Sequence, residues 1–216
     1  MRVHLPLMLL TLAAGPALAQ QHDHDDDHAV AGGGTLPAGW MARTDGGRPL
    51  ANLKFETMAP GWHLTTGPAV ILYRDADKVD GPVHAITTIH LFPASGHAEG
   101  FGLFLGGQNL QADNQSYTYF LIRGDGMYLV KRRTGATTST VVDWTASDAI
   151  KKASADSSVA NEISFLASRD SVAFSVNGKT VATLPASQLD TRGIVGLRVN
   201  HNLNLHIASL GVHPLH

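Results

Sequence analysis

The spacing of apolar and turn residues constrains the fold of this chain more than any other feature. From Thr35 onward, short stretches with apolar residues at alternate positions are separated by Gly, Pro, Asn and Asp. This pattern is typical of β-strands joined by tight turns, and Asn177-Gly178 is a strong hairpin signal. One exposed helix is predicted at residues 145–154. The predicted strands are 52–58, 63–65, 69–73, 83–92, 100–105, 116–123, 127–132, 139–144, 161–168, 171–176, 179–184, 193–200 and 204–212.

About a dozen strands at regular spacing, without an internal repeat, favour a two-sheet sandwich over a propeller. We therefore predict that residues 35–216 form one all-β domain, an antiparallel jelly roll with at most one short helix. The chain has no cysteine, which excludes disulfides, thiol catalysis and zinc–thiolate sites. Its formal net charge is −2, and the mixed charges argue against a nucleic-acid partner.

The first 19 residues have the pattern of a cleavable signal peptide. Arg2 precedes a broken apolar stretch that ends in Ala17-Leu18-Ala19, the small-x-small pattern of a cleavage site. The stretch is too short to span a bilayer, and no cysteine follows it for a lipid anchor. The sequence thus predicts cleavage after Ala19 and a periplasmic or secreted protein without a membrane anchor.

Residues 20–34 are rich in His and Asp and end in three glycines, which predicts a disordered leader with a flexible hinge at residues 32–34. After cleavage at Ala19, the Gln20 amine, two backbone amides and the His22 imidazole would form a square-planar set for Cu²⁺ or Ni²⁺. His24 and His28 would add weaker sites. The alternative is a solubilising tail, and cyclisation of Gln20 would remove the amine.

Histidine is unusually frequent, with twelve in the chain. Sugar sites combine aromatic faces with planar hydrogen-bonding groups in a groove. One concave sheet surface that carried such residues would suit a glycan or another polar ligand; the alternative is that these histidines are scattered. The candidate ligand-binding residues are His63, His90, Tyr119, Arg123, Arg198, Asn200 and His206.

Several segments resemble the concanavalin A-like lectin/glucanase superfamily. They are GFGLFLGG at 100–107, YTYFLIR at 117–123, DGMYLV at 125–130, VAFSVNGK at 172–179 and GIVGLRV at 193–199. The resemblance covers residues 52–213. Within the superfamily, this part of the chain is similar to laminin-G-like and 3-keto-disaccharide hydrolase-like jelly rolls. It implies a lectin-like sandwich. The Glu-x-Asp-x-x-Glu strand of the glucanases and the Asn-Ser-Gly motif of the disaccharide hydrolases do not occur.

Candidate catalytic and calcium-binding groups follow from the acidic residues. Glycosidases need two facing carboxylates, whereas Glu56 and Glu162 fall on different predicted strands. Residues 75–81 carry Asp75, Asp77 and Asp80. They form a predicted acidic turn and a candidate Ca²⁺ loop that lacks the closing ligands of an EF-hand.

Taken together, these sequence features lead us to expect an exported carbohydrate-binding domain. The alternatives are a glycoside hydrolase or lyase, and a non-catalytic envelope interaction domain with a metal-binding tail.

Overall fold

The computed structural model describes residues 27–93 and 97–215, which form two stacked antiparallel sheets. Sheet I has the order β1-β4-β13-β6-β7-β8-β9, and sheet II has the order β12-β11-β10-β5-β14-β3-β2. The strands are β1 Met41–Thr44, β2 Leu53–Thr57, β3 Trp62–Thr66, β4 Val70–Val79, β5 Val83–Leu91, β6 Gly100–Gln108, β7 Ser116–Arg123, β8 Met127–Thr134, β9 Thr137–Ala146, β10 Val159–Ala167, β11 Ser171–Val176, β12 Lys179–Pro185, β13 Gly193–Val199 and β14 Asn204–Pro214.

Alternate side chains of both sheets meet in one core between them. Phe120 of sheet I packs on Phe174 of sheet II with ring centroids 4.9 Å apart, and Phe165 lies 6.4 Å from Phe174. All three rings are fully buried. The strand alternation therefore turns every second residue of sheet I towards sheet II and the others towards the outer face.

The predicted all-β jelly-roll sandwich is confirmed. Each predicted strand has an observed counterpart, and the Asn177-Gly178 hairpin has the positive φ angles, 50° and 76°, of a tight primed turn. Strand β1 was not predicted because its four residues show too little alternation. Strand β4 is longer than predicted and extends through Asp75 and Asp77 to Val79.

The prediction of a helix at residues 145–154 is wrong. Residues 145 and 146 complete β9, and the following segment makes one turn closed by the Ile150 N–H on the Ser147 carbonyl (3.2 Å). Beyond it, the buried Asn161 side chain accepts from the Lys151 N–H (2.9 Å) and donates to its carbonyl (3.0 Å). Because Asn161 occupies these backbone groups, a continuing helix has no access to them.

The described part of the leader, residues 27–34, lies against the edge of sheet II. The Gly33 N–H donates to the Leu53 carbonyl (3.1 Å), and the Phe55 N–H donates to the Gly33 carbonyl (2.8 Å). A Cβ at Gly34, where φ is 78°, would lie 1.6 Å from the Phe55 oxygen. These glycines allow close approach to β2, which corrects the expectation of a free hinge at 32–34.

The predicted signal peptide, residues 1–19, and residues 20–26 lie outside the described residues. Within residues 27–93 and 97–215, no helix is long and apolar enough to cross a membrane.

Candidate functional site

The outer face of sheet I carries a second apolar cluster, separate from the core between the sheets. Its members include Ile71, Tyr73, Phe104, Tyr117 and Leu129, all at most 2% exposed. Beside this cluster lies a groove of about 310 Å³, here called the sheet I groove, whose lining includes Asp45, Tyr119, Lys131, Arg133, Trp144 and Arg198. Strands β7, β8, β9 and β13 supply its walls, and the turn after β1 supplies Asp45.

An arginine–carboxylate clamp forms the centre of this groove. Arg198 Nη1 and Nη2 donate to Asp45 Oδ1 and Oδ2, both at 2.7 Å. Arg133 Nη2 donates to Asp45 Oδ2 at 2.9 Å. The Arg198 side chain is 7% exposed, whereas Asp45 is 32% exposed and so reaches the groove surface. The bidentate geometry fixes the plane of the Arg198 guanidinium.

A chain of hydrogen bonds extends from the clamp towards the N-terminal segment. Arg198 Nε donates to Asn200 Oδ1 (3.3 Å), and Asn200 Nδ2 donates to Glu99 Oε2 (3.1 Å). Glu99 Oε1 lies 2.9 Å from His201 Nε2, and Asp27 Oδ1 lies 3.7 Å from His201 Nδ1. These contacts hold the polar end of the groove in one arrangement.

Aromatic rings lie beside these polar groups. The Arg198 guanidinium carbon is 5.9 Å from the Tyr119 ring centre, and the Arg123 guanidinium carbon is 4.1 Å from the Trp144 ring centre. Arg123 is also held by Asp125 through bonds of 3.1 and 2.6 Å. Four basic and two acidic side chains line the groove, which makes it net positive.

The charge states in the groove follow from burial and pairing. Burial opposes the charge of Asp45, but Arg198, Arg133 and Arg43 outweigh it and lower the pKa of the Asp45 carboxyl. Burial likewise opposes the charge of Arg198, and the Asp45 carboxylate reverses this and raises the Arg198 pKa. Burial raises the pKa of the Tyr119 hydroxyl. The groove therefore holds fixed ions beside a neutral phenol at neutral pH.

The seven predicted ligand-binding residues do not share one surface. Tyr119, Arg123, Arg198 and Asn200 line the sheet I groove. His63, His90 and His206 lie instead on β3, β5 and β14 of sheet II. The expectation of one site built from all seven is thus corrected, because the sequence alternation places residues on faces but does not assign strands to sheets.

The three histidines form a row across neighbouring strands of sheet II, here called the histidine row. His206 is in register with His63 on one side and with His90 on the other. Ring centroids are 6.3 Å apart for His63 and His206, and 5.6 Å apart for His90 and His206. Burial lowers the pKa of His206; a hydrogen bond to the Pro60 backbone opposes this shift, and the nearby His90 and His63 add to it.

Most of the candidate Ca²⁺ loop at residues 75–81 belongs to strand β4, and only residues 80 and 81 lie in the turn that follows it. Asp75 and Asp77 are part of β4, and Asp77 accepts from Arg74 Nε (2.6 Å) and Nη2 (3.0 Å). Among residues 27–93 and 97–215, no group of three or more His, Asp or Glu side chains is arranged to hold a metal. Of the leader histidines, His22 and His24 lie outside the described residues, and the His28 N–H donates to Asn202 Oδ1 (2.7 Å).

Asp45, Arg133 and Trp144 line the groove without having been predicted. Asp45 belongs to a Thr-Asp-Gly-Gly segment that reads as an ordinary turn. Arg133 had a usable signal, since the tight β7–β8 turn sets a register in which Tyr117 faces Arg133 and Tyr119 faces Lys131.

A larger depression of about 580 Å³ lies where Leu91, Phe92 and Leu203 approach Ala153. Its lining is mainly apolar. The sheet I groove is the better candidate site because charged and aromatic side chains converge in it.

The jelly-roll fold of this chain is shared by other solved structures. No protein-family model matches the sequence, and no curated protein matches it. Among solved structures, the chain is similar to a carbohydrate-binding module, CBM66, from Bacillus subtilis, with TM-score 0.58 and 10% identity over 82% of this chain and 96% of that one.

Two further solved structures share this fold. A Bacteroides ovatus GH16 protein, in complex with a glucan product, matches with TM-score 0.56 and 10% identity over 80% of this chain and 94% of that one. The Ca²⁺-bound exoplasmic/lumenal domain of VIP36 matches with TM-score 0.57 and 11% identity over 86% and 87%. At these identities the similarity establishes the fold.

Proposed function

We propose that this domain binds a carbohydrate in the sheet I groove and does not hydrolyse it. The observation that carries the proposal is the Asp45 clamp beside Tyr119 and Trp144. Fixed guanidinium and carboxylate groups match the paired hydroxyls of a sugar, and aromatic rings match its apolar face. The groove volume of about 310 Å³ suits a short saccharide.

The charge of the groove narrows the ligand class. Lys131, Arg133, Arg123 and Arg198 outnumber the groove carboxylates, and Asp45 is already shared between two arginines. An additional anionic group on the ligand would therefore meet a favourable potential. We expect a sugar with carboxylate or sulfate groups to bind more tightly than its neutral counterpart.

Binding is favoured over hydrolysis by the state of the groove carboxylates. A glycosidase needs a carboxyl group whose pKa is raised, so that it can protonate the leaving oxygen. The arginines beside Asp45 lower its pKa instead, and both of its oxygens already accept hydrogen bonds. Asp45 thus suits the role of a fixed acceptor rather than that of a general acid.

Titration calorimetry with matched neutral and uronic-acid oligosaccharides tests this proposal. Trp144→Ala should weaken binding about fivefold or more, the equivalent of roughly 1 kcal/mol for one aromatic contact. Arg133→Ala should weaken binding of the acidic sugar, whereas Arg132→Ala on the same strand is the control. Arg132 pairs with Asp190 outside the groove (2.7 and 2.8 Å). Equal binding by both arginine variants, or no binding to any saccharide, would contradict the proposal.

We further propose that the protein is exported with cleavage after Ala19. Sequencing the N-terminus of the mature protein tests this position. If Gln20 is the free first residue, Cu²⁺ titration should produce the visible band of a square-planar complex at His22, with His24 and His28 as weaker ligands. A mature chain that starts elsewhere, or no such band, would contradict the leader site.

A further inference from the structure

The histidine row is separate from the sheet I groove and takes no part in the proposed glycan site. Its side chains lie on the outer face of sheet II, because Trp62, Leu64, Leu205 and Ile207, their strand neighbours, point into the core. His63 and His206 are each 8% exposed. Imidazoles this buried normally have partners for both ring nitrogens.

One nitrogen of His63 does have a partner, and that partner defines the tautomer of this ring. His63 Nε2 is hydrogen-bonded to Asn204 Oδ1, an oxygen that only accepts. The His206 ring likewise has one nitrogen, Nδ1, that is buried and has no hydrogen-bond partner.

The two rings thus share a buried nitrogen that no hydrogen bond uses. His63 Nδ1 and His206 Nδ1 are both buried and have no hydrogen-bond partner. A neutral imidazole with one N–H held by an oxygen acceptor and the other nitrogen free is the state in which histidine binds metals. Asn204 occupies the position that an orienting group takes beside a metal-binding histidine.

We propose that His63 and His206 are the two imidazole ligands of a site for a divalent transition metal such as Zn²⁺, Cu²⁺ or Ni²⁺. Nitrogen ligands suit these ions rather than Ca²⁺ or Mg²⁺. With metal–nitrogen bonds of about 2.0–2.1 Å and a ring radius of roughly 1.1 Å, two rings on one ion have centres about 5 Å apart at a tetrahedral angle and about 6.2–6.4 Å apart on opposite sides of the ion. The His63–His206 separation of 6.3 Å corresponds to ligands on opposite sides of the ion.

His90 is the candidate third ligand. Its ring centre is 5.6 Å from that of His206, and its side chain is partly exposed. In the present arrangement, no three such groups of the described residues enclose a metal. The proposed site therefore uses two protein ligands, and a rotated His90 or solvent would supply the third.

The test uses the full mature chain with His22, His24 and His28 replaced by Ala, so that the leader does not compete for the metal. Cu²⁺ is titrated and followed by electron paramagnetic resonance, which reports nitrogen ligation. We expect one bound ion, with affinity lost by at least about tenfold in His206→Gln and by about tenfold in Asn204→Ala. His213→Asn is the matched control, since His84 and His213 also face each other across β5 and β14, with ring centres 6.2 Å apart.

A second measurement does not depend on how the variants fold. In ¹⁵N-labelled protein with the same leader substitutions, the His63 and His206 rings should show the Nε2–H tautomer, and added Zn²⁺ should shift their Nδ1 resonances. Rings protonated at Nδ1, or Nδ1 resonances unmoved by Zn²⁺, would overturn the proposal. Equal loss of Cu²⁺ in the His213 control would overturn it as well, because it would indicate general binding to surface histidines.

Discussion

Asp45→Asn should destabilise the protein strongly, because it leaves Arg198 buried without its carboxylate. In the wild type, both Asp45 oxygens accept hydrogen bonds of 2.7 Å from Arg198. The substitution keeps one of these acceptors and replaces the other with an amide NH₂, which faces a guanidinium N–H. Breaking a buried ion pair costs about 3–5 kcal/mol. Since Asp45 remains 32% exposed, we expect about 3 kcal/mol, the lower end of that range.

Urea unfolding at pH 7 measures this change, and thermal unfolding should show a Tm lower by about 6–12 °C. Asp125→Asn is the control. It disrupts an equally bidentate pair with Arg123, but the two side chains are 41% and 23% exposed, so the cost should stay below about 1 kcal/mol. Adding Arg198→Met to Asp45→Asn should restore part of the lost stability, because no unpaired charge then stays buried. Equal costs for Asp45→Asn and Asp125→Asn would refute the reasoning.

Three further predictions follow from other contacts. The pKa of Asp45 is lower in the folded protein than its ordinary value of about 3.9. The Asp45 carboxylate therefore stabilises the fold fully above a pH of about 3.9, and this stabilisation is lost as the pH falls through the folded pKa. The difference in unfolding free energy between the wild type and Asp45→Asn should accordingly disappear in urea titrations at acid pH. Asn161→Ala should cost about 2–3 kcal/mol in urea unfolding, since two backbone bonds to Lys151 are lost at a buried position; a cost below about 1 kcal/mol would contradict this. Gly34→Ala should release the N-terminal segment from Phe55 with little change in global stability, visible as faster amide exchange at Phe55; unchanged exchange there would count against it.

The fold was predictable because its signals are local. Alternation in segments such as Val195 to Val199 defines strands, and Asn177-Gly178 defines a hairpin without reference to distant residues. The helix prediction at 145–154 failed because Asn161, outside the segment, takes the backbone groups of Lys151. A local pattern carries no information about a competing partner further along the chain.

The candidate site was predictable only in part for the same reason. Tyr119 and Arg198 were found because both alternate with core residues on recognisable strands. Asp45 reaches Arg198 across 153 positions of sequence, and nothing in its turn indicates a buried partner. The three histidines lie together on sheet II, apart from Tyr119 and Arg198, because β5, β14 and β3 are neighbours there, a property of topology that residue spacing does not encode.

The pairing of Gly33 with β2 has a consequence for how molecules of this protein meet one another. Strand β2 is the edge of sheet II, and an uncovered edge is a template on which a strand of another molecule can add. The Leu53 carbonyl and the Phe55 N–H are already bonded to Gly33 of the same chain. Two of the backbone groups of that edge are therefore unavailable to a strand of a neighbouring molecule, and the N-terminal segment opposes edge-to-edge aggregation.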